Sequence, residues 1–160
     1  MNDNNCGWTY VPNINQYIFD DFVNCDSEMY LMIEQRCIIT KTTTVTKLLN
    51  IMEKHNYNIV SPMLVKNHCK FSNFWGDIDD SGFYKRSHDY YNLVTYVNRG
   101  IFNVPYVSGI LLINRSTLKN FPIKLTNTFD NDVDMELAKF FRDNCLFVYM
   151  VNYDNYGYLL

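Results

Sequence analysis

A chain of 160 residues, 48% hydrophobic and 16% aromatic, is one domain's worth of sequence and can bury a real core, which excludes a disordered chain. A formal net charge of -3 with no Lys/Arg stripe removes the electrostatic footprint of a nucleic-acid binder. No apolar run approaches membrane-span length, because Val104 to Ile113 is broken by Pro105, Ser108 and Gly109. Met1 to Asn5 shows neither the basic nor the apolar region of a secretory signal. A soluble chain with no signal peptide, no membrane partner and no nucleic-acid partner is expected.

In chain order, residues 1–13 are polar and Asn-rich, and 1–25 is expected to be a polar N-terminal segment ahead of a domain at 26–160. Ile14, Tyr17, Ile18 and Phe22 recur at helical spacing and predict a short amphipathic helix. Tyr30 to Ile33 predicts a buried strand, Glu34-Gln35-Arg36 a polar turn, and Cys37-Ile38-Ile39 a short extended piece. Thr42 to His55 predicts a helix with Thr42 or Thr43 as the cap and Val45, Leu48, Leu49 and Met52 as its apolar face. Asn58 to Val65 predicts a strand. Strand–helix–strand order is the unit of an α/β fold with parallel pairing.

Phe71 to Gly100 is aromatic and turn-rich, with a turn signal at Asp79-Asp80-Ser81-Gly82. The calcium-loop reading of Asp77, Asp79 and Asp80 fails on its Glu and Gly spacing, leaving a solvated turn. Ile110 to Ile113 predicts a buried strand, Asp132 to Asp143 a helix and Leu146 to Val151 a final strand. The five cysteines, Cys6, Cys25, Cys37, Cys69 and Cys145, are odd in number and widely spaced, which predicts reduced, mostly buried thiols and no zinc site, with one disulfide as the alternative in an oxidising compartment.

Composition and periodicity stop at an α/β domain; motifs carry the reading further. Phe71-Ser72-Asn73-Phe74-Trp75-Gly76, then Gly82-Phe83-Tyr84-Lys85-Arg86-Ser87-His88-Asp89-Tyr90, then Asn103-Val104-Pro105-Tyr106, then Asp132-Val133-Asp134-Met135 occur in order. They resemble successive signatures of the procollagen lysyl hydroxylase family (procollagen-lysine 2-oxoglutarate 5-dioxygenases), and specifically its central glycosyltransferase-like accessory module. The likeness covers about Tyr30 to Leu160. It implies a partial glycosyltransferase-A (Rossmann-like) α/β fold, with a mixed, mostly parallel sheet flanked by helices. The Asn, Ile and Tyr bias suits an AT-rich genome, and large DNA viruses encode relatives of this family.

The dioxygenase chemistry of the family needs two His and a carboxylate around iron. Here His55, His68 and His88 include no His-x-Asp, so no hydroxylase module is expected. Glycosyltransferases of this fold hold Mn²⁺ against a UDP-sugar diphosphate with an Asp-x-Asp at a strand end, where the metal offsets charge on the leaving group. The corresponding position reads Glu34-Gln35-Arg36, and a guanidinium there would repel a metal or clamp a phosphate directly. The resemblance therefore implies a non-catalytic accessory domain with no cofactor, or, as the alternative, a transferase using Mn²⁺ and a UDP-sugar on hydroxylysine of collagen-like proteins. The implied partners are a collagen-like protein or a lysyl hydroxylase chain, and family members act in the endoplasmic reticulum.

A sheet lacking the nucleotide-binding half would expose an edge, expected to be capped by the N-terminal segment or a second chain, so a homo-oligomer is one expected assembly. Asp132 and Asp134 are read as a catalytic base or a metal site, or as acids favoured at a helix N-terminus. Trp75 is read as an aromatic platform for a sugar or peptide, or as core. Asn103 and Tyr106 join Trp75 as candidates for a substrate or partner surface. Asn114-Arg115-Ser116 is a glycosylation sequon.

Overall fold

The computed structural model describes residues 14–66, 70–121, 124 and 132–160. In chain order these form α1 (Ile14–Asn24), β1 (Met29–Ile33), β2 (Cys37–Ile39), α2 (Thr44–His55), β3 (Ile59–Pro62), β4 (Val65–Lys66), β5 (Phe74–Trp75) and β6 (Asp77–Ile78). There follow β7 (Tyr84–Lys85), α3 (Tyr90–Val94), β8 (Ile101–Val104), β9 (Tyr106–Val107), β10 (Ile110–Asn114), α4 (Arg115–Asn120), α5 (Val133–Asp143), β11 (Val148–Val151) and β12 (Gly157–Leu159). No helix among the described residues is long and apolar enough to cross a membrane.

The main sheet has the order β1-β10-β3-β11-β8. β10 runs antiparallel to both β1 and β3, β11 pairs parallel with β3, and β8 returns antiparallel on β11. Strands β1, β3 and β11 thus share one direction, as the strand–helix–strand pattern predicts. The expectation of a mostly parallel sheet is corrected, because β10 inserts between β1 and β3 and β3–β11 is the one parallel pairing in this sheet. The sheet is mixed and flanked by helices. A smaller sheet has the order β2-β12-β4, with β12 antiparallel to β2 and parallel to β4.

Two apolar layers cover the main sheet. On one face Ile59, Leu111, Ile113, Val148 and Met150 meet Phe19 and Phe22 of α1, Leu93 of α3, and Leu137 and Phe141 of α5. On the other, Val60, Ile110, Leu112 and Val151 meet Leu48 and Met52 of α2 together with Tyr156 and Leu159. This alternation of neighbours along β3 and β10 is the period-2 rule of strands buried on both faces.

Several local readings change. In α1 the buried residues are Phe19 and Phe22, and Ile18 is 40% exposed. The side chains of Ile14 and Tyr17 lie outside the described residues. Phe22 and Phe19 pack their rings on Tyr30, at 4.9 and 5.2 Å between centroids. β1 is a half-buried edge strand rather than a buried one, with Leu31 and Ile33 exposed. The expected cap from residues 1–13 falls outside the described residues. The cap of α2 is Thr43, whose side chain makes no capping bond, and the helix ends on Asn56 in the left-handed conformation. The strand predicted over 58–65 is split into β3 and β4 around the buried pair Met63-Leu64. Cys37 is buried, Cys25 half-buried and Cys145 exposed; all three are free thiols, and Cys6 and Cys69 lie outside the described residues.

Candidate functional site

Because β1 and β10 are antiparallel and Ile33 pairs with Ile110, the carboxyl end of β1 meets the amino end of β10. The chain turns there at Glu34-Gln35-Arg36 on one side and Ser108-Gly109 on the other. Glu34 N–H donates to the Gly109 carbonyl at 2.7 Å, and Cys37 N–H donates back to the Glu34 carbonyl at 2.9 Å, closing the turn. Gly109 has φ +77, and a Cβ on it would lie 2.6 Å from Cys37 Sγ, so glycine is required twice over. The outer boundary of this corner is the first turn of α5. Its start is set by Asp132, whose carboxylate accepts from Met135 N–H at 3.0 Å.

The cap at Asp132 turns the next acid inward. Asp134 is only 4% exposed and accepts from Gly109 N–H at 3.2 Å. Arg36 reaches both acids, with Nε 2.7 Å from Glu34 Oε2 and Nη2 3.1 Å from Asp134 Oδ2. One guanidinium, itself about half exposed, therefore serves two carboxylates that also contact each other. Burial pushes the Asp134 carboxyl up to about 7, with the Glu34 carboxylate adding to the rise and Gly109 N–H and Arg36 opposing it. Arg36 only partly offsets this rise, because it is shared with Glu34 and about half exposed while Asp134 is buried. Burial disfavours the Arg36 charge, but Glu34 and Asp134 outweigh it and its pKa rises. Burial and Glu34 also carry the Cys37 thiol up to about 11, which keeps it protonated and unreactive at neutral pH.

Tyr106, read from sequence as a surface candidate, is 7% exposed and belongs to this corner. Burial, then Asp134 and Asp132, raises its hydroxyl pKa. Trp75 pairs with Tyr106 across β5–β9 and is half-buried. Asn103 is exposed on β8 and lies apart, at the rim of a groove of about 320 Å³ walled by Val104, Pro105, Phe141, Leu146 and Phe147. The structure thus brings Glu34, Arg36, Asp134 and Tyr106 together, leaves Gln35 and Asp132 exposed at the margin, and keeps Asn103 away. Sequence reasoning missed Gly109 and Cys37, although a Ser-Gly step before an apolar strand is a turn signal. Among the described residues no three His, Cys, Asp or Glu side chains gather where they could hold a metal ion.

The motif at Phe71–Gly76 has a different use. Asn73 Oδ1 accepts from Leu64 N–H at 2.8 Å, and its Nδ2 donates to the Pro62 and Ser108 carbonyls. Ser72 N–H donates to the Tyr90 hydroxyl at 3.0 Å, and Phe74 is fully buried. A Cβ on Gly76 would overlap Ser87 Oγ at 2.2 Å. These residues clamp the ends of β3 and β4 to the Ser108-Gly109 turn, and so support the acidic corner from behind.

Comparison with known proteins fixes the family. The model for the glycosyltransferase family 25 N-terminal domain matches residues 5–160. The chain belongs to glycosyltransferase family 25. Its relatives include the uncharacterized protein R699 of Acanthamoeba polyphaga mimivirus, 40% identical over 94% of this chain and 32% of that protein. The procollagen lysyl hydroxylase and glycosyltransferase of the same virus is 34% identical over 86% of this chain and 16% of its own length. The human multifunctional procollagen lysine hydroxylase and glycosyltransferase LH3 is 33% identical over 84% of this chain and 18% of its own. The chain spans a third or less of the length of these relatives. A197 from STIV, a crystal structure, superposes with a TM-score of 0.57 at 13% identity over 86% of this chain and 61% of that one, a likeness of fold alone. The resemblance to lysyl hydroxylases and the glycosyltransferase-A-like α/β fold are therefore established, viral relatives included.

Proposed function

We propose that this family 25 domain is a non-catalytic, glycosyltransferase-like accessory domain that supports a lysyl hydroxylase chain or its collagen-like substrate. The observation that carries the reading is the position of Arg36, bonded to both Glu34 and Asp134 at the carboxyl end of β1. Strand carboxyl ends are where open α/β sheets bind ligands. A divalent metal there would need carboxylates with unspent charge. These two share a guanidinium, and one of them is dry enough to take up a proton near neutrality. The residues present do not fit a divalent metal.

The alternative is a UDP-sugar-dependent transferase acting on hydroxylysine. Its support is the same Asp134, since a carboxyl with a pKa of about 7 beside a basic side chain has the properties of a general acid or base. Calorimetric titration of the folded protein with UDP-galactose and UDP-glucose, each with and without Mn²⁺, separates the two. No heat at millimolar sugar nucleotide is expected. Metal-dependent binding in the micromolar range would overturn the accessory reading in favour of the transferase.

A further inference from the structure

On the side of the molecule formed by β5, the β7–α3 segment and the chain entering β5, the surface is aromatic and cationic. Phe71 and Tyr91 are exposed, the latter by 49%, and Trp75 is half-buried beside them. Phe71 meets Trp75 edge-on at 6.3 Å between ring centroids. The exposed Arg86 guanidinium lies 4.8 Å from the Tyr90 ring centroid, 5.7 Å from Tyr91 and 5.9 Å from Trp75. One of its nitrogens donates to the Tyr91 hydroxyl at 3.0 Å. Lys70 Nζ stands 5.4 Å from the same Tyr91 ring. Two cations are therefore held on one tyrosine.

Neither has an acidic partner among the described residues. The ion pairs there involve Arg36, Lys41, Lys47, Lys85 and Lys139, not Lys70 or Arg86. Asp89, the nearest acid in sequence to Arg86, accepts instead from the Ser87 hydroxyl at 2.7 Å, and Asp77 faces Lys85. In a chain of net charge -3, two adjacent cations without counter-charge, fixed by ring contacts, are an exception. The fixing matters, because the rotamer entropy that a lysine or arginine surrenders on binding is already largely spent here. Past Lys70 the surface continues into an open groove of about 420 Å³ lined by Thr40, Thr95, Tyr96 and Asn155. The surface is thus a strip leading from Trp75 through Arg86 and Tyr91 to Lys70 and the groove.

We propose that this strip docks an extended acidic peptide segment of a partner protein, its carboxylates on Lys70 and Arg86 and its apolar side chains on Phe71 and Trp75. Charge complementarity decides the sign of the partner. The strip's mixture of aromatic rings with arginine, the residue types enriched at protein interfaces, favours a peptide over a compact small molecule. The inference stands whether or not the corner at Arg36 is catalytic, since it uses none of those residues.

The test is fluorescence anisotropy with a fluorescein-labelled nonapeptide of repeated Glu-Phe-Glu, and with its Lys-Phe-Lys counterpart as control. Amide chemical shifts of the wild-type protein give the location. Saturable, salt-sensitive binding of the acidic peptide alone is expected, with shifts confined to residues 70–76 and 84–96. K70Q with R86Q is expected to weaken it about tenfold, which corresponds to about 1.4 kcal/mol, while R86K alone changes it less. Circular dichroism confirms that the variants are folded. No binding by folded wild type, binding unchanged in the double variant, or equal binding of a heparin-type oligosaccharide, which would mark a general polyanion surface, would each overturn the proposal.

Discussion

Replacing Arg36 by alanine probes the acidic corner most directly. The substitution leaves Glu34 and the buried Asp134 facing each other with no cation between them. Breaking a fully buried ion pair costs about 3–5 kcal/mol, whereas an exposed pair is worth less than about 1 kcal/mol. Asp134 is 4% exposed but Arg36 is 47% exposed, so the loss falls between these limits, about 1–3 kcal/mol at pH 8. At pH 5 the loss shrinks below about 1 kcal/mol, because Asp134, with its pKa pushed up to about 7, is already protonated and a shared proton replaces the guanidinium. The sign follows from linkage. The folded-state pKa of Asp134 lies above its unfolded value, so the folded protein binds the extra proton between about pH 4 and 7 and loses stability as pH rises through that window. Arg36 is among the groups holding that pKa down, so its removal extends the window upward and deepens the total decline. Urea denaturation of both proteins at pH 5 and pH 8 measures this. Equal losses at the two pH values, or a larger loss at pH 5, would refute the proton-sharing account.

Other perturbations follow from the same geometry. Asp134→Asn removes the titrating carboxyl, so the variant's midpoint of urea denaturation is expected to stay level from pH 4.5 to 7.5 where the wild type's falls. Gly109→Ala must place a Cβ 2.6 Å from Cys37 Sγ at φ +77, and is expected to destabilise by about 2–4 kcal/mol, read as a fall in melting temperature. Asn73→Ala strands Leu64 N–H and removes a donor from two buried carbonyls, and is expected to cost about 2–4 kcal/mol, whereas exposed Asn103→Ala should cost less than about 0.5 kcal/mol in the same melt. Asn114→Ala removes the acceptor for Ser116 N–H and Oγ at the start of α4, and is expected to cost about 1 kcal/mol by chemical denaturation.

Periodicity located the long elements because local patterning governs them. Leu48 and Met52 four apart, the unbroken apolar run at Ile110 to Ile113, and Asp132 ahead of Met135 each declare their element from within a few residues. Pairing was not legible in the same way. Nothing near Tyr30 announces that its neighbour is Ile113, so β10's insertion between β1 and β3 overturned the mostly parallel sheet. Burial of single residues was equally hidden. Asp132 and Asp134 look alike in sequence, and only the capping bond of the first turns the second into the core. The Asn114 sequon illustrates the reverse case, for its side chain serves a helix cap. Glu34-Gln35-Arg36 was readable as a candidate site because its chemistry departs from the family's motif, not because of its periodicity.

The turn that carries Arg36 lies between two strands whose partners come much later in the chain. Ile33 pairs with Ile110, and Ile38 with Tyr158. Neither pairing can form before a long loop has closed, and loop closure precedes any reward from the contacts it allows. The Arg36 corner is therefore expected to assemble after the local helix α2. A kinetic experiment that follows it should report a slower phase than one that follows the local helix α2.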